Sequence, residues 1–162
     1  PVELKMLKGA DLKVKTAWNI VAADGLSNEA AQARRVLTER IGNIVNSRQR
    51  GTQITLAIDN SLSDDEAYTL AVDAKGVTAK GKTARGVFYA LMTLDQLLRG
   101  NGATECADAI PALFISDKPR THVRELMVDP ARTFIPFEDL KAFVPEMARY
   151  KLNAMHLTLI HI

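Results

Sequence analysis

Cysteine is nearly missing from this chain: Cys106 stands alone among 162 residues, and histidine occurs three times, at His122, His156 and His161. One thiol cannot close an intramolecular disulfide, and no second Cys or His stands at metal-ligand spacing around it, so redox and zinc chemistry drop out. The three histidines are too dispersed for a catalytic dyad, and no Ser-His-Asp or Cys-His arrangement can be assembled from their spacing. Long apolar runs are missing as well. Nothing approaches the roughly 20 residues needed to cross a bilayer, and no charged start followed by an apolar segment marks a signal peptide. No membrane partner is expected. Charge of one sign is also scarce, with 21 Lys and Arg against 19 Asp and Glu. Nucleic-acid binding therefore has little support. The densest basic stretch, Arg34, Arg35, Arg40, Arg48 and Arg50, is mixed with Glu29 and Glu39 and has no interleaved aromatics, so it reads as a solvated helix face. Pro1 is not a natural initiator. A trimmed or processed chain is expected, lacking any signal peptide, with a periplasmic or secreted destination favoured over the cytoplasm.

What is present is an ordinary globular composition, 47% hydrophobic and 25% charged, long enough for one domain or for one and part of another. Residues 3–23 alternate loosely and carry Leu12, Val14, Ile20 and Val21, with Gly9-Ala10-Asp11 dividing them into two strand-like pieces. Ser27 offers its hydroxyl as an N-cap for a helix whose apolar face is Ala30, Ala33, Leu37 and Ile41 and whose end lies near Gly42. Residues 52–58 alternate as a strand, and Asp59-Asn60-Ser61 supplies the turn after it. A hairpin follows: Tyr68, Leu70 and Val72 alternate with small or polar residues, Asp73-Ala74-Lys75-Gly76 turns, and 77–80 returns. From 83 to 99 the period becomes helical, with Val87, Leu91, Leu94 and Leu98 on one stripe, Phe88 and Met92 beside it, and Gly100 placed to end it. A short strand at 112–115 closes the unit. The order β-β-α-β-β-β-α-β predicts an α+β domain with a mixed, mainly antiparallel sheet and two helices on one face.

Around 116–120 the pattern resets. Residues 123–128 form a nearly continuous apolar run of the kind buried on both faces, 137–150 read as a helix, and 152–159 as a second strand. Strand, crossover helix, strand is how a parallel α/β structure begins. Pro145, inside the helical stretch, removes a hydrogen bond and is expected to kink the helix or delay its start.

Two segments together resemble glycoside hydrolase family 20. The first is Gly86-Val87-Phe88-Tyr89-Ala90-Leu91-Met92-Thr93-Leu94-Asp95-Gln96-Leu97, similar to the family's G-x-F-Y-G-L-x-T-L-x-Q-L helix. Related accessory domains precede the barrels of other glycosidases too, including the O-GlcNAcase-type hydrolases of family 84. The second runs from Ile110 through Pro119-Arg120, Arg124, Asp129-x-Ala131-Arg132-x-Phe134-x-Pro136 to Tyr150-Lys151-Leu152-Asn153-x-Met155-His156-Leu157, and resembles D-x-P-R-x-x-x-R-G-x-x-x-D-x-x-R-x-F-x-P followed by Y-K-L-N-x-x-H-x-H-L. Three positions depart from that pattern. Glu125 stands where the family has Gly, Pro130 where it has a small or aliphatic residue, and Thr158 where it has the second His. The family would continue past Leu159 with Thr or Val and two aspartates, whereas here it is Ile160, His161 and Ile162.

The resemblance implies an accessory α/β domain over 1–116 and, over 117–162, the β-α-β start of an incomplete (β/α)8 barrel, a fold that normally needs roughly 250 residues. It further implies an exo-β-N-acetylhexosaminidase acting on glycans with terminal N-acetylhexosamine, retaining and substrate-assisted, without metal or cofactor. The Asp-Glu pair of that mechanism follows a later strand and is not in this chain, so the chain itself is expected to be inactive. By the same resemblance Arg124 is matched to the arginine at the floor of the sugar subsite, where a guanidinium fork donates to adjacent hydroxyls. Asp129 and Arg132 lie nearer the expected rim, orienting one another or Arg124, or meeting the sugar themselves. His156 is expected to be a hydrogen-bonded core residue. Asp64-Asp65-Glu66 is set aside as a solvated turn at a strand entrance. Two alternatives stay open: a family 84-like glycosidase, and a non-catalytic structural or interaction module whose unpaired barrel edge favours self-association.

Overall fold

Alternating apolar residues build the sheet of the larger of two units. The computed structural model describes residues 1–42, 51–99 and 106–158, and the chain divides into Pro1–Pro119 and Arg120–Ile162. In chain order the first unit holds β1 (Glu3–Met6), β2 (Leu12–Lys13), β3 (Trp18–Ala22), α1 (Ser27–Ile41), β4 (Thr52–Ile58), β5 (Tyr68–Asp73), β6 (Gly76–Gly81), α2 (Ala84–Leu98), β7 (Ala109–Ile110) and β8 (Leu113–Asp117). Six of these strands form one sheet in the order β1-β8-β5-β6-β4-β3. Pairing is antiparallel for β1 with β8, β8 with β5 and β5 with β6, and parallel for β6 with β4 and β4 with β3. The expected mixed, mainly antiparallel sheet is what forms.

The opening segment makes three strands where two pieces were expected. Leu12 and Lys13 leave the main sheet and pair with Ile110 and Ala109, because Leu12 and Ile110 are both apolar and both become fully buried there. The closing strand likewise begins at Leu113 and runs to Asp117, later than 112–115.

Ile54, Leu56, Leu70, Val72, Val77 and Ala79 line the buried face of the sheet. Helix α2 lies on β4, β5 and β6, and α1 lies against α2 and β3. The predicted α2 stripe, Val87, Leu91, Leu94 and Leu98, is completely buried; each such side chain contributes about 1.5–3 kcal/mol as an upper bound. The start of α2 touches the sheet so closely that a Cβ on Gly86 would fall 2.4 Å from the Ala67 carbonyl oxygen. Glycine is the residue that permits that approach. Helix α2 ends at Leu98 with Arg99 as its cap, and Gly100 lies outside the described residues.

Ser27 is not the N-cap of α1. Leu26 holds that position, without a side-chain cap bond, and Ala30 N–H donates to the Leu26 carbonyl at 2.9 Å. Leu26 is fully buried, and burying a leucine outweighs the roughly 1 kcal/mol of a serine cap. At the other end Gly42 takes the left-handed conformation, φ 77°, and donates to the Thr38 carbonyl. Ala33 and Leu37 of the expected face are buried, joined by Val36.

Part of the basic stretch is not solvated. Asp95 of α2 is 4% exposed, and Arg40 of α1 donates through Nε to its Oδ1 at 2.7 Å while Arg99 reaches its Oδ2 at 3.1 Å. A carboxylate that deep must be paired, and the charge-assisted bond ties α1 to α2. Arg34 and Arg35 are exposed as expected, whereas Arg48 and Arg50 lie outside the described residues. A second buried polar link joins sheet and helix: the Tyr68 hydroxyl is 2.6 Å from Thr93 Oγ1 and donates to Asp117 Oδ2 at 3.0 Å.

The second unit holds β9 (Glu125–Val128), α3 (Phe137–Arg149) and β10 (Ala154–Leu157). Strands β9 and β10 pair in parallel, with Glu125 opposite Ala154 and Val128 opposite Leu157. The predicted strand, helix, strand order therefore holds, with shorter strands. Burial on both faces does not: Val123 is 66% and Met127 63% exposed, and of the strand only Val128 is buried. Two strands and one helix are too few elements to cover both faces of a sheet. Pro145 sits inside α3 without delaying its start, because Pro136 caps the helix and accepts from the Asp139 and Leu140 amides.

Removing Asp95 by Asp95→Ala leaves Arg40 partly buried without its counter-ion and is expected to cost about 3–5 kcal/mol, against under about 1 kcal/mol for Glu39→Ala at the exposed Arg35 pair; urea denaturation measures both. Burial holds the Tyr68 phenol above the usual tyrosine range, the Asp117 charge adding to it while the Thr93 hydrogen bond opposes. A raised folded-state value contributes stability that is complete below the unfolded value near 10 and is lost as pH rises beyond it. The thermal midpoint is therefore expected to fall above about pH 10, and less steeply in Tyr68→Phe.

Candidate functional site

The parallel register of β9 and β10 gives the second unit two chemically different ends. At the N-terminal end, Arg124 is fastened in place. Its backbone N–H donates to Asn153 Oδ1 at 3.0 Å, and its carbonyl accepts from the Asn153 amide at 2.9 Å. Its guanidinium donates through Nε to the Lys151 carbonyl at 2.8 Å and through one Nη to the Thr121 carbonyl at 2.7 Å. Asn153 also donates from Nδ2 to the His122 carbonyl at 2.7 Å. Lys151 presents its carbonyl from a left-handed backbone, φ 58°, a conformation costing a lysine on the order of 1 kcal/mol, offset here by the bonds it permits.

At the C-terminal end three side chains meet. Thr158 Oγ1 donates to Asp129 Oδ1, and Asp129 Oδ2 lies 3.2 Å from Arg132 Nε. The Thr158 amide donates to the Val128 carbonyl at 3.2 Å, carrying the ladder one step beyond the strands. The Asp129 carboxylate is one-third exposed and the Arg132 side chain 89% exposed. Of the residues singled out in the sequence, Asp129 and Arg132 are thus brought together, while Arg124 stands at the opposite end of the strands.

Other candidates resolve differently. His156 is exposed, not a core residue, since it projects from a face of β10 that the second unit leaves open; His122 is exposed too. His161 lies outside the described residues. In the acidic triplet, Asp64 and Asp65 behave as turn residues, with Asp64 Oδ1 accepting from the Glu66 amide at 2.9 Å. Glu66 does not: it is 6% exposed and accepts from Tyr89 Oη at 3.2 Å and Arg85 at 3.3 Å. Those bonds hold the strand entrance to α2, and neither partner is a base that could serve catalysis. Cys106 is half-buried, and burial pushes its thiol up, away from a reactive thiolate.

The family models for "Glycosyl hydrolase family 20, domain 2" and "Glycosyl hydrolase family 20, catalytic domain" match residues 1–118 and 122–161 respectively. The chain belongs to glycosyl hydrolase family 20. Among its relatives, a β-hexosaminidase of Akkermansia muciniphila is 45% identical over 120 residues, covering 70% of this chain and 24% of that protein. The β-hexosaminidase B of Pseudoalteromonas piscicida is 30% identical over 160 residues, 98% of this chain and 20% of that protein. Among solved structures, the family 20 exo-β-N-acetylglucosaminidase of Vibrio harveyi in complex with N-acetylglucosamine superposes with a TM-score of 0.80 at 26% identity, over 98% of this chain and 24% of that one. The chain thus spans about a quarter or less of the length of these relatives. The β9-α3-β10 unit corresponds to the start of their catalytic barrel.

Spacing alone did not reveal Asn153 and Thr158 as bonding partners. The only signals were indirect: Asn153 sits in the quoted Y-K-L-N segment, and Thr158 at one of the departures from it. Asn153→Ala removes the acceptor of the Arg124 amide and is expected to speed hydrogen exchange of that amide about fivefold, for a bond of roughly 1 kcal/mol, while amides of α2 are unchanged. Exchange of the peptide spanning 121–126, followed by mass spectrometry, measures this.

Proposed function

We propose that this chain is the front part of an exo-β-N-acetylhexosaminidase that removes terminal N-acetylhexosamine from glycans with retention, and that Arg132, held by Asp129, contacts the sugar. The reading of Arg132 rests on one observation. Asp129, Thr158 and Arg132 gather at the C-terminal ends of β9 and β10, the end at which (β/α)8 barrels bind substrate. Arg124, the other candidate, bonds backbone carbonyls at the opposite end, which suits a role in securing the strands. An exposed guanidinium beside the rim can donate to two neighbouring ring hydroxyls, and its planar fork fixes their orientation.

In the substrate-assisted scheme the acetamido oxygen of the sugar attacks its own anomeric carbon. An aspartate orients the acetamido group, and a glutamate protonates the leaving oxygen. Those two acids belong to later barrel strands in this reading, so the 162-residue chain binds at most part of the sugar and does not turn over. A completed barrel would also cover Val123, Met127, Phe137 and Leu157, all exposed in this chain; left open, these favour self-association.

A chromogenic N-acetylglucosaminide tests the reading. The 162-residue chain is expected to be inert and the full-length protein active. In the latter, Arg132→Ala is expected to lower kcat/KM about 10- to 100-fold, the scale of charge-assisted hydrogen bonds, while Arg124→Ala lowers thermal stability with KM preserved. A raised KM in Arg124→Ala together with an unaffected Arg132→Ala enzyme would return the sugar to Arg124.

A further inference from the structure

We infer that Thr158 is a positioning residue for Arg132, acting through the Asp129 carboxylate, and that it thereby sets affinity for the sugar hydroxyls. The inference rests on Arg132 being the sugar-binding arginine. Its basis is the division of labour at the carboxylate. Asp129 Oδ1 accepts from Thr158 and Oδ2 faces Arg132 Nε, so both partners are engaged at once. Without Thr158, Asp129 and Arg132 would be a solvent-facing pair three residues apart, which is worth at most about 1 kcal/mol and leaves a long side chain free to change rotamer.

The hydroxyl comes from a neighbouring strand, and that is what makes it an anchor. Val128 pairs with Leu157, and the Thr158 amide bonds the Val128 carbonyl. The rung beyond the strands therefore brings Thr158 beside Asp129 by backbone geometry, before any side chain chooses a rotamer. Being β-branched, threonine has a restricted χ1, so its hydroxyl direction is largely set as well. With Nε held by Asp129, the two terminal Nη groups form the remaining edge of the guanidinium, matched to a pair of adjacent acceptors. Arg132 meets no other charged partner among the described residues, so this one contact aims it.

Thr158 also stands where the resembling family motif has histidine. A hydroxyl does not titrate near neutrality, whereas an imidazole would, so here the anchor on Asp129 keeps its form across pH 5–8.

Kinetics of the full-length enzyme on the chromogenic N-acetylglucosaminide test this. Thr158→Val, nearly isosteric, is expected to raise KM about three- to tenfold, with kcat within about twofold, for loss of one hydrogen bond. Thr158→Ser is expected to restore KM to within about twofold of the parent, and Thr158→Ala to behave as Val does should the Val enzyme fold poorly. In an Arg132→Ala background, Thr158→Val is expected to add nothing. A parental KM in both Val and Ala enzymes, a loss confined to kcat, or an equal rise in the Arg132→Ala background would each overturn the role of Thr158. An Arg132→Ala enzyme with parental KM would instead overturn the assignment of Arg132 on which it stands.

Discussion

The parallel pairing of Glu125–Val128 with Ala154–Leu157 is the constraint from which the functional account follows, because it decides which side chains share an end of the strands. Side chains alternate faces with a period of two, so a slip of one residue would move Asp129 away from Thr158 and exchange the faces of Met127 and Val128. Two sets of hydrogen bonds hold the register. Asn153 and Lys151 bind Arg124 at the start, and Thr158 binds the Val128 carbonyl and Asp129 at the finish. Arg124 therefore helps to fix where the strands begin, at the end opposite Asp129 and Arg132. The guanidinium that the resemblance matched to the sugar subsite donates in this structure to the Lys151 and Thr121 carbonyls.

The first unit follows a different economy. Its sheet closes on one face by hydrophobic burial, its two helices are joined by the Arg40–Asp95 pair, and Tyr68 ties the sheet to α2 through Thr93. Among the described residues, none of its buried charges lies in an arrangement suited to catalysis. Glu66 is spent on Arg85 and Tyr89, and the shallow depression of about 230 Å³ beside the β5–β6 turn, lined by Gln53, Thr55, Asp73, Lys75 and Thr78 among others, contains no buried ionisable group. Its buried polar groups are matched to one another, as in a unit whose task is rigidity.

Much of this was legible in the residues, and the gaps have identifiable causes. Helix α2 could be read because Val87, Leu91, Leu94 and Leu98 repeat at a helical period with no competing signal. The β5–β6 hairpin could be read because its alternation is bounded by a turn. The N-cap was misplaced because a serine's local preference was overridden by burial of Leu26, a tertiary effect that spacing does not carry. The ladder of Leu12 with Ile110 joins residues nearly a hundred positions apart, so nothing local announced it. Arg40 and Glu66 looked solvated because charge in sequence reveals nothing of depth; their partners Asp95 and Tyr89 lie far along the chain. At the site, the motif named Arg124, Asp129 and Arg132 and put the last two nearer the rim, but only the register showed that Thr158 comes beside Asp129.

The account turns on which guanidinium meets the sugar, and a crystal structure of the full-length protein with bound N-acetylglucosamine tests that most directly. The account predicts ring hydroxyls within about 3.2 Å of Arg132, Asp129 bridging Arg132 and Thr158, and Arg124 still bonded to the Lys151 and Thr121 carbonyls. A sugar held by Arg124, with Arg132 turned away into solvent, would contradict it.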